Sequence, residues 1–134
     1  MRAVIDPNLL ISGLLSPTGS PAQVLRARQE GRVEVLVSPL LLDELTRALA
    51  YPKLRERIPA DDAAEAVRWL AEGATQVDDP PDEPPVRSED PGDDYLIALA
   101  ADQRAALVSG DRHLLALSEH IPVYSPRAFL DELS

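Results

Sequence analysis

The chain has 134 residues, of which 45% are apolar, and it carries a formal net charge of −10 at pH 7. This length suits one hydrophobic core, so we expect residues 1–134 to form a single domain. The absence of cysteine and the presence of only two histidines exclude a disulfide framework and a thiolate or histidine-rich metal site. Any metal bound by this chain would therefore take oxygen ligands.

The net negative charge argues against general polyanion binding, because nucleic-acid affinity depends mainly on cations that neutralise phosphates. The charge is unevenly spread, however, since residues 78–94 contain eight acids and a single cation, Arg87. No apolar run approaches the roughly 20 residues of a membrane-spanning helix. The first residues also lack the layout of a signal peptide, so we expect a cytoplasmic protein with no membrane partner.

Short β-branched runs and helix-start signals alternate along the chain. The β-branched runs predict five strands, at 2–6, 33–37, 75–77, 106–109 and 122–124. Ser-Pro pairs and one aspartate predict helix starts at Ser20, Ser38, Ser125 and Asp61, the last helix ending at Gly73. Residues 78–91 contain five prolines and are expected to form an extended surface loop. The expected fold class is α/β, a three-layer α/β/α sandwich with a central parallel β-sheet.

Two aspartates follow predicted strands directly. Asp6 ends the first strand, and Asp111 comes two residues after the strand at 106–109. Ligands bind open parallel sheets beyond the carboxyl ends of the strands, near the point where the strand order reverses. Each aspartate alone could equally be a turn former or a helix cap, so further acids are needed to indicate a site.

Three further acids lie on predicted helices. Glu44 falls on the flank of the apolar stripe of a helix over 39–50, whereas Asp43 is expected to point to solvent. The helix over 95–101 is apolar on every side and is therefore expected to be buried. Asp93 and Asp94 occupy its first turn, where helix capping would need only one acid.

Carboxylates that converge on one pocket repel each other unless protons or a cation are shared among them. With oxygen ligands only, the most economical partner is a hard cation, Mg²⁺ or Mn²⁺, that also meets a substrate phosphate. Sites of this kind hydrolyse phosphodiesters by activating water, with one metal or with two.

Four segments, "AVIDPNLLIS", "VSPLLLDEL", "EDPGDDYLIALA" and "LVSGDRHLL", together resemble the PIN-domain family. The resemblance covers nearly the whole chain and keeps the order and spacing of the motifs. It implies a PIN-like α/β/α fold and a metal-dependent endoribonuclease that cleaves single-stranded RNA. Bacterial and archaeal relatives include toxins of toxin-antitoxin pairs, so it also implies a small cognate antitoxin and a homodimer as partners.

The resemblance also implies roles for individual residues. The first acid is Asp6, the second Glu44, the third lies in Asp93-Asp94 and the fourth is Asp111. We expect Asp94 to be the third catalytic and metal-binding acid, with Asp93 as a supporting or alternate metal ligand. Supporting roles are expected for two further positions, Asn8 and Ser109.

One position departs from the family pattern. Pro7 stands where a hydroxyl residue is usual, so a hydroxyl and a backbone N–H beside the site are missing. We expect the water or substrate contacts there to differ. Three arginines are candidate phosphate contacts by position alone, namely Arg2, Arg47 and Arg112, and neither histidine is assigned a chemical role.

Two rival functions fit parts of the pattern. A phosphatase with Asp6 as nucleophile would want an acid at position 8 and a downstream lysine, but the chain has Asn8 and only Lys53. A catalytically inert PIN-like module acting through protein or RNA binding is the stronger rival. The presence of all four acids favours the enzyme.

Overall fold

The structure is a computed structural model that describes residues Met1–Ser134. It contains five parallel strands, β1 Arg2–Ile5, β2 Glu34–Val37, β3 Thr75–Gln76, β4 Ala106–Val108 and β5 Val123–Tyr124. Eight α-helices join or flank them: α1 Pro7–Leu15, α2 Ser20–Gln29, α3 Pro39–Leu49, α4 Pro52–Arg55, α5 Ala60–Gly73, α6 Asp94–Gln103, α7 Arg112–Leu115 and α8 Pro126–Leu133. A short 3-10 turn, Pro91–Asp93, precedes α6. No helix is long and apolar enough to cross a bilayer.

The strand order is β3-β2-β1-β4-β5, and every neighbouring pair is parallel. The chain moves outward from β1 to β3 and then returns to place β4 on the other side of β1. Right-handed crossovers in these two directions put helices on both faces of the sheet. The predicted α/β fold with a central parallel sheet is therefore confirmed, and its topological switch point lies between β1 and β4.

The central strands are buried because both faces of the sheet are covered. The core gathers residues of β1, β2 and β4 with apolar side chains of α3 and α6. Helix α6 packs against β1 and β4. Its five residues from Leu96 to Ala100 are all buried, as its uniformly apolar sequence predicts. The acids in front of this helix are thereby held beside the switch point.

Helix starts are predicted less accurately than strands. Ser38 and Ser125 cap α3 and α8 as expected, each accepting a hydrogen bond from a backbone N–H of the first turn. Two predictions are wrong: the residue that precedes α2 is Gly19 and not Ser20, and the residue that precedes α5 is Pro59 and not Asp61. Neither start has a side-chain cap. In α2 the proline Pro21 lies in the first turn, where its missing N–H costs no hydrogen bond.

Residues 78–90 contain no helix or strand, in agreement with the expected surface loop. The loop is nevertheless fastened at several points. Near its start, the Asp79 carboxylate accepts a hydrogen bond from the Leu40 backbone N–H at the beginning of α3 (3.0 Å). Near its end, Glu89 lies 3.5 Å from the imidazole of His113. Part of the acidity of this segment therefore serves to attach it to the sheet edge.

Candidate metal centre

Asp6 is a charged residue at the centre of the fold, with only 2% of its surface exposed. It ends β1, where its backbone N–H donates to the Val108 carbonyl of β4 (2.9 Å). Its Oδ1 accepts a hydrogen bond from the Asn8 backbone N–H (2.9 Å), which caps α1. Its Oδ2 accepts one from the Ser109 hydroxyl (2.7 Å). Both carboxylate oxygens are therefore held at the carboxyl end of β1.

Ser109 connects Asp6 to the second strand-end acid. Its side chain is fully buried, and its Oγ accepts a hydrogen bond from the Asp111 backbone N–H (3.0 Å) while donating to Asp6. Asp111 in turn caps α7, because its Oδ1 accepts from the His113 backbone N–H (2.8 Å). One hydroxyl thus sets the positions of both acids at the switch point.

Pro7 and Asn8 behave differently from the sequence expectation. Pro7 is the first residue of α1, a position whose N–H has no partner in the helix, so the proline removes no hydrogen bond from Asp6. Asn8 contributes its backbone N–H, and its exposed side chain has no hydrogen bond to the protein. The carboxamide of Asn8 is therefore free for a ligand.

The two adjacent aspartates in front of α6 have different surroundings. Asp93 lines a cavity of about 80 Å³ together with Asp6 and Glu44, and its Oδ2 is buried without a hydrogen-bond donor. The Asp94 carboxylate is 13% exposed and fully engaged, since it accepts from the Ser88 backbone N–H (2.9 Å) and from Arg87 (3.2 Å). This arrangement favours Asp93 over Asp94 as the third acid of the site, the reverse of the expectation from sequence.

The electrostatics of Asp93 reflect this crowding. Burial, followed by the neighbouring Asp111 carboxylate and the charges of Asp6 and Asp90, raises its pKa to about 7. Burial also raises the pKa of Asp6, against the opposing hydrogen bonds from Ser109 and Asn8. The carboxylates at this edge of the sheet therefore repel each other, and no cationic side chain is paired with Asp6 or Asp93.

Glu44 faces the same cavity from α3. As predicted, it lies on the flank of a stripe whose members Leu41, Leu45 and Leu49 are buried. Its carboxylate is 39% exposed and accepts a hydrogen bond from Arg47 one turn later (3.1 Å). An exposed pair of this kind is worth less than about 1 kcal/mol, so Glu44 can turn towards the cavity at little cost.

Tyr95 also lines this cavity, although no role at the site was predicted for it from sequence. It is half-buried at the start of α6, lines the cavity with Glu44 and Asp93, and its hydroxyl has no hydrogen-bond acceptor in the protein. Burial and then the charges of Glu44, Asp6 and Asp93 raise its pKa, so the phenol remains an uncharged donor. The signal for this position was that Tyr95 directly follows two aspartates. Because the run over 95–101 is apolar, the sequence predicted a core residue instead.

The three candidate arginines have different positions relative to the acids. Arg2 lies at the amino end of β1, where it donates to the Gln103 carbonyl and pairs with Glu34, so its prediction as a phosphate contact is wrong. Arg47 pairs with Glu44. Arg112 is exposed beside Asp111 and has no ion pair, so it is the arginine of the three that is free to meet a phosphate.

The donor set suits a hard divalent cation. Asp6, Glu44, Asp93 and Asp111 offer oxygen ligands alone, and the orphaned Oδ2 of Asp93 is a buried acceptor that a cation would satisfy. The acids are not drawn into a closed cage, since no three Asp, Glu or His side chains stand close enough to hold one ion. Like-charge repulsion favours such separation, and binding of one ion by three or more of these acids would require their side chains to move together.

A parallel sheet with two acids at its switch point is typical of α/β proteins that bind a ligand at the carboxyl ends of the strands. Comparison with known families identifies which family of such proteins this chain belongs to. The PIN-domain profile matches residues 2–113. The chain therefore belongs to the PIN-domain family, whose members are typically metal-dependent nucleases.

Two known proteins are similar to this chain over nearly its whole length. It is 27% identical over 143 residues to the uncharacterized protein MJ1680 of Methanocaldococcus jannaschii, a match that covers 98% of this chain and 91% of the relative. The solved structure of a PilT N-terminus domain protein, SSO1118 of Sulfolobus solfataricus, superposes with a TM-score of 0.57 at 16% identity, covering 99% of this chain and 93% of that one. The second likeness supports the fold.

Replacing Ser109 with alanine would test how Asp6 is held. We expect Ser109→Ala to lower the free energy of unfolding at pH 7 by about 1–3 kcal/mol, because a buried carboxylate oxygen loses its donor. Ser12→Ala is the matched control, since that exposed hydroxyl donates only to the Asn8 carbonyl, and it should change stability by less than about 0.5 kcal/mol. Equal effects in urea denaturation would contradict the role of Ser109.

The pH dependence of the free energy of unfolding should show which of Asp93 and Asp94 has the raised pKa. In metal-free protein, the raised pKa of Asp93 means that the folded state holds a proton that the unfolded state releases, between pH 4 and about 7. This group therefore stabilises the fold less as pH rises through that window. We expect Asp93→Asn to stabilise the protein at pH 8 relative to wild type, and to weaken the fall in stability between pH 5 and pH 8.

Asp94→Asn is the matched comparison for that experiment. It removes an acceptor of two hydrogen bonds, so we expect it to destabilise the protein at pH 8 by about 1–3 kcal/mol. Both variants should be measured by urea denaturation with a chelator present. Stabilisation by Asp94→Asn together with destabilisation by Asp93→Asn would contradict this account, because it would mean that Asp94 is the unpartnered acid and Asp93 the hydrogen-bonded one.

Proposed function

We propose that this chain is a metal-dependent endoribonuclease that cleaves single-stranded RNA, with Asp6, Glu44, Asp93 and Asp111 binding Mg²⁺ or Mn²⁺. The observation that carries the proposal is the buried, donor-less Oδ2 of Asp93 in a cavity shared with Asp6 and Glu44. Membership of a family of typically metal-dependent nucleases supports it. Asp94 is assigned a structural role instead, since its oxygens are already occupied.

Each residue of the site has a distinct task in this proposal. Ser109 keeps the Asp6 carboxylate oriented and the Asp111 backbone in place, so that two ligands keep a fixed separation. Glu44 closes the site from α3 once it leaves Arg47. A bound divalent cation supplies neutralisation of the phosphate oxygens and makes water a stronger nucleophile.

Tyr95 adds a neutral donor to this set of acids. Its O–H lies among carboxylates that can only accept, so it can donate to a phosphate oxygen once the acids are neutralised. Arg112 provides positive charge at the other side of the site, next to Asp111. These two side chains are the proposed phosphate contacts from the protein.

The net charge of −10 shapes how the substrate would bind. A negatively charged surface repels RNA at long range, so the affinity must come from the cation and from short-range contacts. We therefore expect weak binding without divalent metal and a strong dependence on the metal concentration. The toxin role, the cognate antitoxin and the homodimer remain predictions from the family resemblance. A short neighbouring reading frame for a DNA-binding protein would support the toxin role.

Cleavage of an unstructured RNA oligonucleotide tests the proposal. With Mg²⁺ or Mn²⁺, we expect wild type to cleave it, and we expect Asp6→Asn, Glu44→Gln and Asp93→Asn each to lower kcat/KM by about 100-fold or more, because each removes a metal ligand. A gel-based time course with and without a chelator measures this. Two neighbouring acids give matched controls, namely Asp43→Asn beside Glu44 and Asp94→Asn beside Asp93.

The controls decide between the alternatives. Asp43 is exposed on α3, so Asp43→Asn should cleave as wild type. If the ligand-site variants cleave as fast as Asp43→Asn, the assignment of the acids is wrong. If wild type neither cleaves RNA nor gains thermal stability from either metal, the catalytically inert PIN-like module is the better description, since a ligand that binds only the folded state must stabilise it.

A further inference from the structure

A second cavity adjoins the proposed metal centre on the side away from Glu44. It has a volume of about 360 Å³ and is lined by Asp6, Asn8, Leu9, Ser12, Gly110 and Asp111. It shares Asp6 and Asn8 with the smaller cavity of Glu44 and Tyr95. Asp6 and Asn8 therefore lie between the two adjoining cavities, and we name the larger one the Gly110 cavity.

Neither backbone conformation nor packing requires a glycine at position 110. The one glycine with positive φ is Gly31, so the Gly110 backbone is open to other residues. A Cβ built at Gly110 would meet nothing nearer than Leu9 Cδ1 at 3.9 Å, an ordinary van der Waals contact. Glycine also costs conformational entropy on folding. A side chain at position 110 would extend into the cavity. Glycine at this position therefore keeps space open beside Asp6 and Asp111.

The polar groups of the Gly110 cavity match a sugar better than a phosphate. The Asn8 carboxamide is exposed, unpaired with protein, and offers both a donor and an acceptor. The Ser12 hydroxyl donates a hydrogen bond to the Asn8 carbonyl (3.0 Å), and its oxygen can still accept one. Asp6 and Asp111 disfavour an anion at the cavity wall, whereas a ribose hydroxyl is neutral and both donates and accepts.

We propose that the Gly110 cavity binds the ribose of the nucleotide adjoining the scissile phosphate, with the Asn8 carboxamide and the Ser12 hydroxyl bonding to its 2′-hydroxyl. This inference rests on the proposed function and adds the basis for choosing RNA over DNA. The 2′-hydroxyl is the group by which a protein distinguishes RNA from DNA at a given site. The volume is at the low end of small-ligand cavities, which suits one nucleotide of a single strand.

Gly110→Val tests the proposal by filling the cavity, and Asn8→Ala tests it by removing the carboxamide. Affinity for a labelled single-stranded RNA and for DNA of the same sequence is measured by fluorescence anisotropy with Ca²⁺, and cleavage with Mn²⁺. We expect both variants to bind RNA about tenfold more weakly and to keep the wild-type rise in melting temperature with Mn²⁺. Asn8→Ala should bind DNA as wild type does, because deoxyribose has no 2′-hydroxyl for the carboxamide to contact. Gly19→Ala is the control, because Gly19 lies in the connection between α1 and α2 and its Cβ would make only ordinary van der Waals contacts.

A second substrate sharpens the measurement. Wild type should cleave an RNA with a single 2′-deoxy substitution beside the cleaved bond about tenfold more slowly than the all-ribose strand, and Gly110→Val should lose this difference. If Gly110→Val does not fold, Gly110→Ala serves instead, since the structure accommodates its Cβ. An unchanged preference for RNA in both Gly110→Val and Asn8→Ala, with wild type active, would overturn this inference alone. A wild type that neither binds nor cleaves RNA would overturn the proposed function and this inference together.

Discussion

A carboxylate withdrawn from water at the end of β1 is the constraint on which the site depends. Taking such a charge out of water costs several kcal/mol unless hydrogen bonds replace its hydration. Asp6 receives one bond from the first turn of α1 and one from the Ser109 hydroxyl at the end of β4. Because the same hydroxyl accepts the Asp111 N–H, the arrangement that makes Asp6 tolerable also fixes the next acid. Stability and site geometry therefore depend on a single buried serine.

The remaining acids show how sequence neighbours can have opposite roles. Asp94 has satisfied oxygens and fastens the acidic loop to α6, whereas Asp93 has an orphaned oxygen and a pKa raised to about 7. A fold optimised for stability alone would not keep an unpartnered carboxylate beside Asp6 and Asp111. Local unfavourable interactions of this kind are typical of functional sites, where binding of a ligand compensates for them. The same reasoning applies to Gly110, because neither its backbone conformation nor its packing requires a glycine.

The sequence predicted what depends on local pattern and missed what depends on distant contacts. Buried strands and the uniformly apolar α6 were readable because their residues face other protein on all sides. The choice between Asp93 and Asp94 was not, because both align with apolar residues on the helix and the difference comes from Ser88 and Arg87 in the preceding loop. The four-residue helix α4 was also missed, since so short a segment has no periodicity. The assignment of the acids to metal binding stays a prediction.

The most direct test of the central claim is a titration of ¹⁵N-labelled protein with Mn²⁺, followed by the loss of amide signals in NMR spectra. The account predicts that substoichiometric Mn²⁺ first broadens the amides around Asp6, Asp93 and Asp111, because these acids are the proposed ligands of the ion. Exposed acids elsewhere provide the comparison, among them Asp61, Asp62 and Asp82. Broadening that begins at those exposed acids, or that spreads evenly over all acidic segments, would contradict the account.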